Sequence, residues 1–240
     1  GGAWQHGWDS LHLFSPAKWS SLPGWPMPPS DDGYPSKAHV INYLTEYEKK
    51  YDIPVYRHVK VLSMRKEKEN FVASTDKEEW ESQVVVSATG KWSLPFIPEY
   101  PGREIYRGKH IHSAYYQNAD PFRGQRVLIV GGGNSGAQIL AEVSKVAKTM
   151  WVTLKDPLFL PDEVDGRVLF ERATERWKAL QEGRTIEVLK GGLGDIVMVP
   201  SVKEARERNV LKTVRPFKQF TEDGVIWQDG THSQVDSVIW

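Results

Sequence analysis

Six consecutive residues, Gly131-Gly132-Gly133-Asn134-Ser135-Gly136, have the spacing G-x-G-x-x-G that suits a pyrophosphate. Each glycine answers a steric demand. Gly131 makes a tight turn, Gly133 has no Cβ to hold a phosphate off the backbone, and Gly136 lets a helix pack close to a strand. The spacing alone is weak, so its flanks decide. Val127–Val130 reads as a short buried strand, and Ile139, Leu140, Val143, Val146 and Ala147 recur at helical spacing. Met150–Leu154 supplies the next strand of a β-α-β unit. The helix start would offer unpaired N–H groups and partial positive charge to phosphates. The simpler alternative is a glycine-rich turn without a ligand; strand, turn and helix in this order favour the dinucleotide site.

The second strand bears on which nucleotide. NAD sites place an acidic side chain about 20 residues beyond the glycines, where it meets the ribose 2′-OH. Here the strand ends Thr153-Leu154-Lys155-Asp156. Thr153 and Lys155 come first, and a cation there suits a 2′-phosphate, which favours NADPH over NADH. The late Asp156 keeps NADH open.

The elements that must position this loop belong to a chain of 240 residues, long enough for one large domain or two small ones. Lys plus Arg number 31, as do Asp plus Glu, so the net charge of zero gives no sign of a nucleic-acid or anionic-membrane partner. No apolar run approaches a membrane span. There is no cysteine, which excludes disulfides, thiol nucleophiles and a redox C-x-x-C, and a cytoplasmic location is the default. No paired carboxylates, Ser-His-Asp order or metal cluster points to hydrolysis. His110 and His112 could lie on one side of an extended chain as metal ligands, but they lack acidic or thiol partners nearby, and no metal site is expected.

Residues 4–29 are rich in Trp and Pro and read as irregular packing segments. Ser36 is a candidate N-cap for a helix with Val40, Leu44, Tyr47 and Tyr51 on one face. Pro54–Leu62, Phe71–Ser74 and Glu81–Ser87 read as strands, the last with a buried core of Val84-Val85-Val86. Val164–Glu182 is helical in pattern, with Val168, Ala173 and Leu180 as its apolar positions. Gly191-Gly192-Leu193-Gly194 reads as a flexible turn, and Val202–Asn209 as a short helix with solvated Lys203, Arg206 and Arg208. Hairpin strands and a final run, Val235–Trp240, complete the chain.

Four stretches together make the chain resemble the flavin-containing monooxygenase superfamily. Gly1-Gly2-Ala3-Trp4 matches its G-G-x-W. Tyr106–Tyr116 matches F-x-G-x-x-x-H-x-x-x-[YFW], with tyrosine first and His112 as its histidine. Gly131–Gly136, with Asn134-Ser135 inside it, stands as the family's second dinucleotide fingerprint. Ser87-Ala88-Thr89-Gly90 resembles the A-T-G hinge between the FAD and NADPH domains, and Val235–Trp240 leads toward another. Phe14-Ser15-Pro16 and Asp162–Phe170 resemble a bacterial subgroup, some of whose members are linked to arsenic-resistance operons.

The resemblance implies an α/β fold: a Rossmann-type domain, with a parallel sheet and flanking helices, joined to part of an FAD-type domain carrying a β-meander. It implies residues 1–119 as partial FAD-type domain and linker, 120–230 as the NADPH domain, and 231–240 as a return strand. FAD would be contacted by Gly1, Gly2, Trp4, Thr89 and Gly90. NADPH would lie on Gly131, Gly133, Asn134, Ser135 and Gly136, with Thr153 and Lys155 at its ribose. His112 would couple the domains. The first FAD loop would lie before Gly1 and the last FAD segment after Trp240. The implied activity is NADPH-driven, flavin-dependent oxygenation of a small substrate by O₂, with no nucleic-acid or membrane partner and homo-oligomerisation left open. The family's T-N motif is replaced here by Leu13-Phe14-Ser15-Pro16, which puts classical N- or S-oxygenation in question and keeps a flavin reductase or oxidase, or a non-catalytic nucleotide-binding module, as alternatives.

Overall fold

The computed structural model describes residues 2–31, 33–90, 92, 94–184 and 195–240. A short helix α1 (Gly2–Gln5) opens it, and irregular chain then leads to α2 (Lys37–Lys50). The Ser36 side chain accepts a hydrogen bond from the His39 N–H and caps α2, as its type and place predict. Val40 and Tyr43 are buried from this helix, and Tyr43 packs with Ala17 and Met27 in a small cluster of its own.

The next three strands, β1 (Val61–Glu67), β2 (Asn70–Thr75) and β3 (Glu79–Ser82), form an antiparallel meander. Two strand boundaries differ from expectation. Residues 54–60 stay out of the sheet, and β1 starts at Val61, where pairing with Thr75 begins. The predicted strand 81–87 stops at Ser82, and Val84 and Val86 are 77% and 84% exposed rather than buried. An apolar run becomes a core strand only when neighbours pair with it and cover it, and no described strand does either here.

The second half is built on a five-stranded parallel sheet. It comprises β4 (Lys109–Ile111), β5 (Arg126–Val130), β6 (Lys148–Val152), β7 (Thr213–Val214) and β11 (Ser237–Ile239), in the order β4-β11-β5-β6-β7. Between these strands lie α3 (Asn134–Val143), α4 (Gly166–Gln181) and α5 (Pro200–Glu207). A second antiparallel meander, β8 (Gln219–Phe220), β9 (Gly224–Ile226) and β10 (His232–Gln234), precedes the last strand.

Strand alternation sorts the core onto the two faces of this sheet. Val127, Ile129, Trp151 and Ile239 pack with Ile139, Leu140 and Val143 of α3 and Val202 of α5. Leu128, Val152 and Val238 pack on the other face with Phe217, Phe220 and Val225 beside the second meander. The expected fold class is therefore the observed one: a Rossmann-type parallel sheet with flanking helices, joined to a unit carrying a β-meander.

The α4 helix has the expected span but buries other positions. Asp165 caps it by accepting from the Arg167 and Val168 N–H groups. Gly166, Leu169 and Ala179 are its buried residues, while Ala173 and Leu180 face outward. The apolar positions of this helix do not form one stripe: of the expected positions Val168 packs against the core, whereas Ala173 and Leu180 do not. Among the residues expected to be solvated in α5, Arg206 makes two hydrogen bonds to the Asp162 carboxylate and Arg208 donates to the Ala141 carbonyl. The glycine cluster 191–194 lies outside the described residues.

Candidate functional site

The glycine loop sits where β5 gives way to α3, at the carboxyl end of the parallel sheet. This is the end where open α/β sheets bind ligands. Gly131 has a φ of +128°, which a residue with a side chain rarely adopts. Its N–H donates to the Val152 carbonyl at 3.0 Å, and its own carbonyl accepts from the Trp151 indole at 2.8 Å. Gly133 is the N-cap of α3, and a Cβ there would meet only open space. A Cβ on Gly136 would instead run into the Gly131 carbonyl oxygen. Each position thus suits glycine on steric grounds: Gly131 takes a backbone conformation that side chains rarely adopt, Gly136 permits close packing, and Gly133 leaves the approach to the backbone free.

A cleft of about 230 Å³ opens over this turn. Gly131, Gly133, Asn134, Ser135 and Gly136 line one side, and Ser113, Ile239 and Trp240 line another. The amide of Asn134 is engaged at both ends. Its Nδ2 donates to the Asp195 carbonyl at 3.0 Å, and its Oδ1 accepts from the Val197 N–H at 2.8 Å. This side chain ties the loop to the chain before α5, leaving Ser135 as the loop's one hydroxyl at the cleft.

The strand after α3 comes back against the loop. Thr153 and Pro157 lie within van der Waals reach of where a Cβ on Gly132 would be, the Thr153 methyl at 3.4 Å. Thr153 is 3% exposed, and its hydroxyl has no hydrogen-bond partner among the described residues. A buried hydroxyl left unpaired costs free energy, so its place beside a phosphate-type loop fits a ligand that completes it. Lys155 is exposed and forms no ion pair among the described residues. Asp156 is held by Arg215, whose Nη2 donates to Oδ1 at 2.8 Å. Reading along the sequence missed Arg215, because only the pairing of β6 with β7 brings position 215 to position 156.

The stretch Tyr106–Tyr116 clasps the sheet from both faces. Tyr106 folds over Gly108, where any Cβ would overlap its phenol ring, and donates to the Val235 carbonyl at 3.0 Å. It packs with Leu128 and Phe220 on one face. Tyr116 packs on the other face with Trp8 and Phe122, and donates to Oε2 of Glu142 in α3 at 2.7 Å. Between them, His112 N-caps a short 3-10 turn, its Nδ1 accepting from the Ala114 N–H at 3.0 Å. Burial pushes the His112 imidazole below its ordinary value, which favours the neutral ring. The next residue, Ser113, donates its N–H to the Trp240 carbonyl at 2.6 Å and so reaches the cleft.

His110 is also held neutral by burial, and secondarily by Arg103. Its Nδ1 accepts from the Trp240 indole at 3.2 Å, and its Nε2 has no partner among the described residues.

Of the residues expected to meet a second cofactor, Gly1 lies outside the described residues. Gly2 is exposed in α1, and Trp4 is half-buried in the same helix. Thr89 and Gly90 are exposed, Gly90 at a φ of +68°. The His6 and Trp92 rings lie 6.2 Å apart, which brings the chain just after α1 beside the chain just after Gly90. These residues form no closed cradle with the glycine loop. Phe14-Ser15 and Asp165-Gly166, far apart in sequence, do meet: the Gly166 N–H donates to the Phe14 carbonyl at 2.6 Å. A Cβ on Gly166 would come within 2.7 Å of Ser15 Cβ, so only glycine allows that approach.

Comparison with known proteins agrees with this geometry. The pyridine nucleotide-disulphide oxidoreductase family matches residues 19–226. An uncharacterized oxidoreductase CzcO from Bacillus subtilis is 31% identical over 242 residues, covering 100% of this chain and 70% of that protein. The indole-3-pyruvate monooxygenase YUCCA4 of rice is 26% identical over 98% of this chain and 64% of its own length. The structure of a flavin-containing monooxygenase from Stenotrophomonas maltophilia is 49% identical and superposes with a TM-score of 0.87, covering 100% of this chain and 66% of that one. The chain thus spans roughly two thirds of the length of its relatives. With its glycine loop, its Tyr106–Tyr116 fingerprint and a match over most of its length, the chain belongs to the pyridine nucleotide-disulphide oxidoreductase family, as a relative of the flavin-containing monooxygenases.

Proposed function

We propose that the protein is an FAD- and NADPH-dependent oxidoreductase acting as a monooxygenase on a small organic substrate. The observation that carries this reading is the shared cleft: the Gly131–Gly136 turn and the Ser113–Trp240 junction line the same space. Held by these residues and by the FAD-facing ones, NADPH and FAD would supply hydride transfer and activation of O₂, of which one oxygen atom would enter the substrate and the other leave as water. The chain's own part is positional. Gly131, Gly133 and Gly136 leave the backbone open to the pyrophosphate, and Ser135 offers it a hydroxyl at the start of α3. Thr153, Lys155 and Arg215 stand at the ribose. His112, neutral and locked onto Ala114, fixes the turn that hooks Ser113 to the end of β11. Gly1, Gly2, Trp4, Thr89 and Gly90 would face FAD.

The proposed division is residues 1–119, 120–230 and 231–240, although β4 and β11 both run in the sheet that holds the glycine loop, which favours counting them with the nucleotide unit. No helix among the described residues is long and apolar enough to cross a membrane, consistent with the cytoplasmic location we favour. Leu13-Phe14-Ser15-Pro16, with no asparagine where the family's T-N motif would stand, favours one second reading: electron transfer without oxygen insertion.

Rapid mixing separates the two. The flavin-loaded protein is reduced with NADPH and exposed to air while its spectrum is followed. Oxygenation gives a long-lived absorbance that matches neither oxidised nor reduced flavin. Direct return to oxidised flavin, with one hydrogen peroxide per NADPH, establishes the reductase or oxidase instead.

A further inference from the structure

A second cavity, of about 590 Å³, lies along α3 and shares no lining residue with the cleft over the glycine loop. Gln138, Glu142 and Lys145, four and three residues apart, present one stripe of the chain at α3 to it, while Ile139 and Val143 turn into the core. Glu142 follows Gly133 by two and a half turns, roughly 13 Å along a helix axis, so its carboxylate is remote from the phosphate end. Trp8 and Leu13, from the chain before α2, and Val199, the N-cap of α5, give the cavity apolar walls.

Glu142 is the charged group that these walls leave short of compensation. The Tyr116 and Ser10 hydroxyls each donate to one of its oxygens, and a carboxylate oxygen can accept more than one hydrogen bond. The Lys145 ammonium is taken up by Glu204 at 2.7 Å. Burial raises the Glu142 carboxyl, and Asp9 adds to this; the Tyr116 hydrogen bond and Lys145 oppose the rise without cancelling it. A cation placed here would supply what they do not. Gln138, one turn earlier, makes no side-chain hydrogen bond among the described residues, and its amide oxygen is free to accept.

We propose that this cavity binds a small organic amine, its ammonium held by Glu142 and Gln138 and its apolar body lying against Trp8, Leu13 and Val199. The site stands apart from the nucleotide cleft and does not depend on the reading of the glycine loop. Its volume falls in the range of small-molecule sites, whose walls are mostly apolar with a few placed polar groups. An ammonium donates to a carboxylate in a short, charge-assisted hydrogen bond, and an aromatic face such as that of Trp8 attracts it as well. A neutral molecule of the same shape fills the walls but leaves the carboxylate uncompensated. An anion of that shape is repelled by Glu142 and Asp9.

Three probes of one shape test this by calorimetry at neutral pH: 2-phenylethylamine, 2-phenylethanol and 3-phenylpropanoate. The amine is expected to bind at least tenfold more tightly than the alcohol, and the carboxylate more weakly than either. Glu142→Gln is expected to weaken the amine at least tenfold and to change the alcohol less than twofold. Ser201→Trp, which places a large ring at the cavity wall and removes no hydrogen bond among the described residues, is expected to weaken amine and alcohol alike at least tenfold. Equal binding of amine and alcohol by the wild type, or no binding of any probe, overturns the proposal. So does an amine affinity that survives Glu142→Gln or Ser201→Trp, which would place the amine elsewhere on the chain. Thermal melts of both variants show that the comparison is between folded proteins.

Discussion

Gly136 is where the glycine loop has least room. Its missing Cβ is what allows the start of α3 to lie against the Gly131 carbonyl, and that carbonyl is fixed in turn by the Trp151 indole. A backbone oxygen on a strand end cannot move aside as a flexible side chain can. Gly136→Ala is therefore expected to push the loop out of shape, weakening 5′-AMP at least tenfold by calorimetry and lowering Tm. Gly133→Ala, with open space at its Cβ, is expected to leave Tm within a degree or so of wild type while still weakening the nucleotide, because the added methyl occupies the phosphate's approach. Equal Tm losses in the two variants would show that the loop is merely structural.

His112 allows a second test at the same scale. Its folded-state value is depressed by burial, so the unfolded chain takes up the proton more readily. The stability tied to the neutral ring is fully present above the ordinary value of 6.5 and is lost as pH falls through the lower folded value. Asparagine can accept from the Ala114 N–H but does not titrate. The Tm difference between wild type and His112→Asn is expected to shift against wild type as pH falls from about 7.5 to 5. His112→Ala loses the cap as well, at a cost on the order of 1 kcal/mol.

At the scale of elements, the Tyr106–Tyr116 segment works as a clasp, and α3 is what it closes on. Tyr116 reaches Glu142 across the helix, and Ser10 donates to the other carboxylate oxygen. Burial raises the Glu142 carboxyl above its ordinary 4.5, against smaller opposing effects of the Tyr116 hydrogen bond and Lys145. A raised carboxyl contributes stability that is whole below the unfolded value and is lost as pH rises through the folded one. Glu142→Gln keeps the volume and an acceptor, so its Tm relative to wild type is expected to climb as pH rises above about 4.5 and then level off. A difference that stays flat with pH would show that the carboxylate is ionised at no cost.

These elements also show what was legible in the sequence. The glycine loop, β5, α3, β6 and the Ser36 cap follow from local patterns, because turn sterics, strand runs and capping are local physics. The buried face of α4, the engaged Asn134 amide and the Asp156–Arg215 pair depend on what packs across from them, and no spacing along the chain encodes that. The same limit explains Val84-Val85-Val86, whose composition reads as core but which no described strand pairs with or covers.

For the whole molecule, those valines belong to a larger contrast. The parallel sheet is covered on both faces, by α3 and α5 on one and by the second meander's aromatics on the other. Among the described residues the first meander has no such cover. No residue of β1, β2 or β3 joins a described core cluster, and Val61, Leu62 and Met64 of β1 lie exposed with Val84, Val86, Leu94 and Phe96 nearby in sequence. Apolar surface left open in this way binds other apolar surface. Stability should be divided accordingly, because amides under few buried contacts exchange through local opening rather than global unfolding. Hydrogen exchange in residues 1–240 is expected to label β1–β3 well before β5, β6 and β11, and a hydrophobic dye should fluoresce with this stretch of chain. Replacing Val84 and Val86 with lysine is expected to reduce that fluorescence at least twofold without slowing or speeding exchange in the parallel sheet. Unchanged dye binding would locate the sticky surface elsewhere, with the outward Phe170 and Trp177 of α4 the next residues to replace.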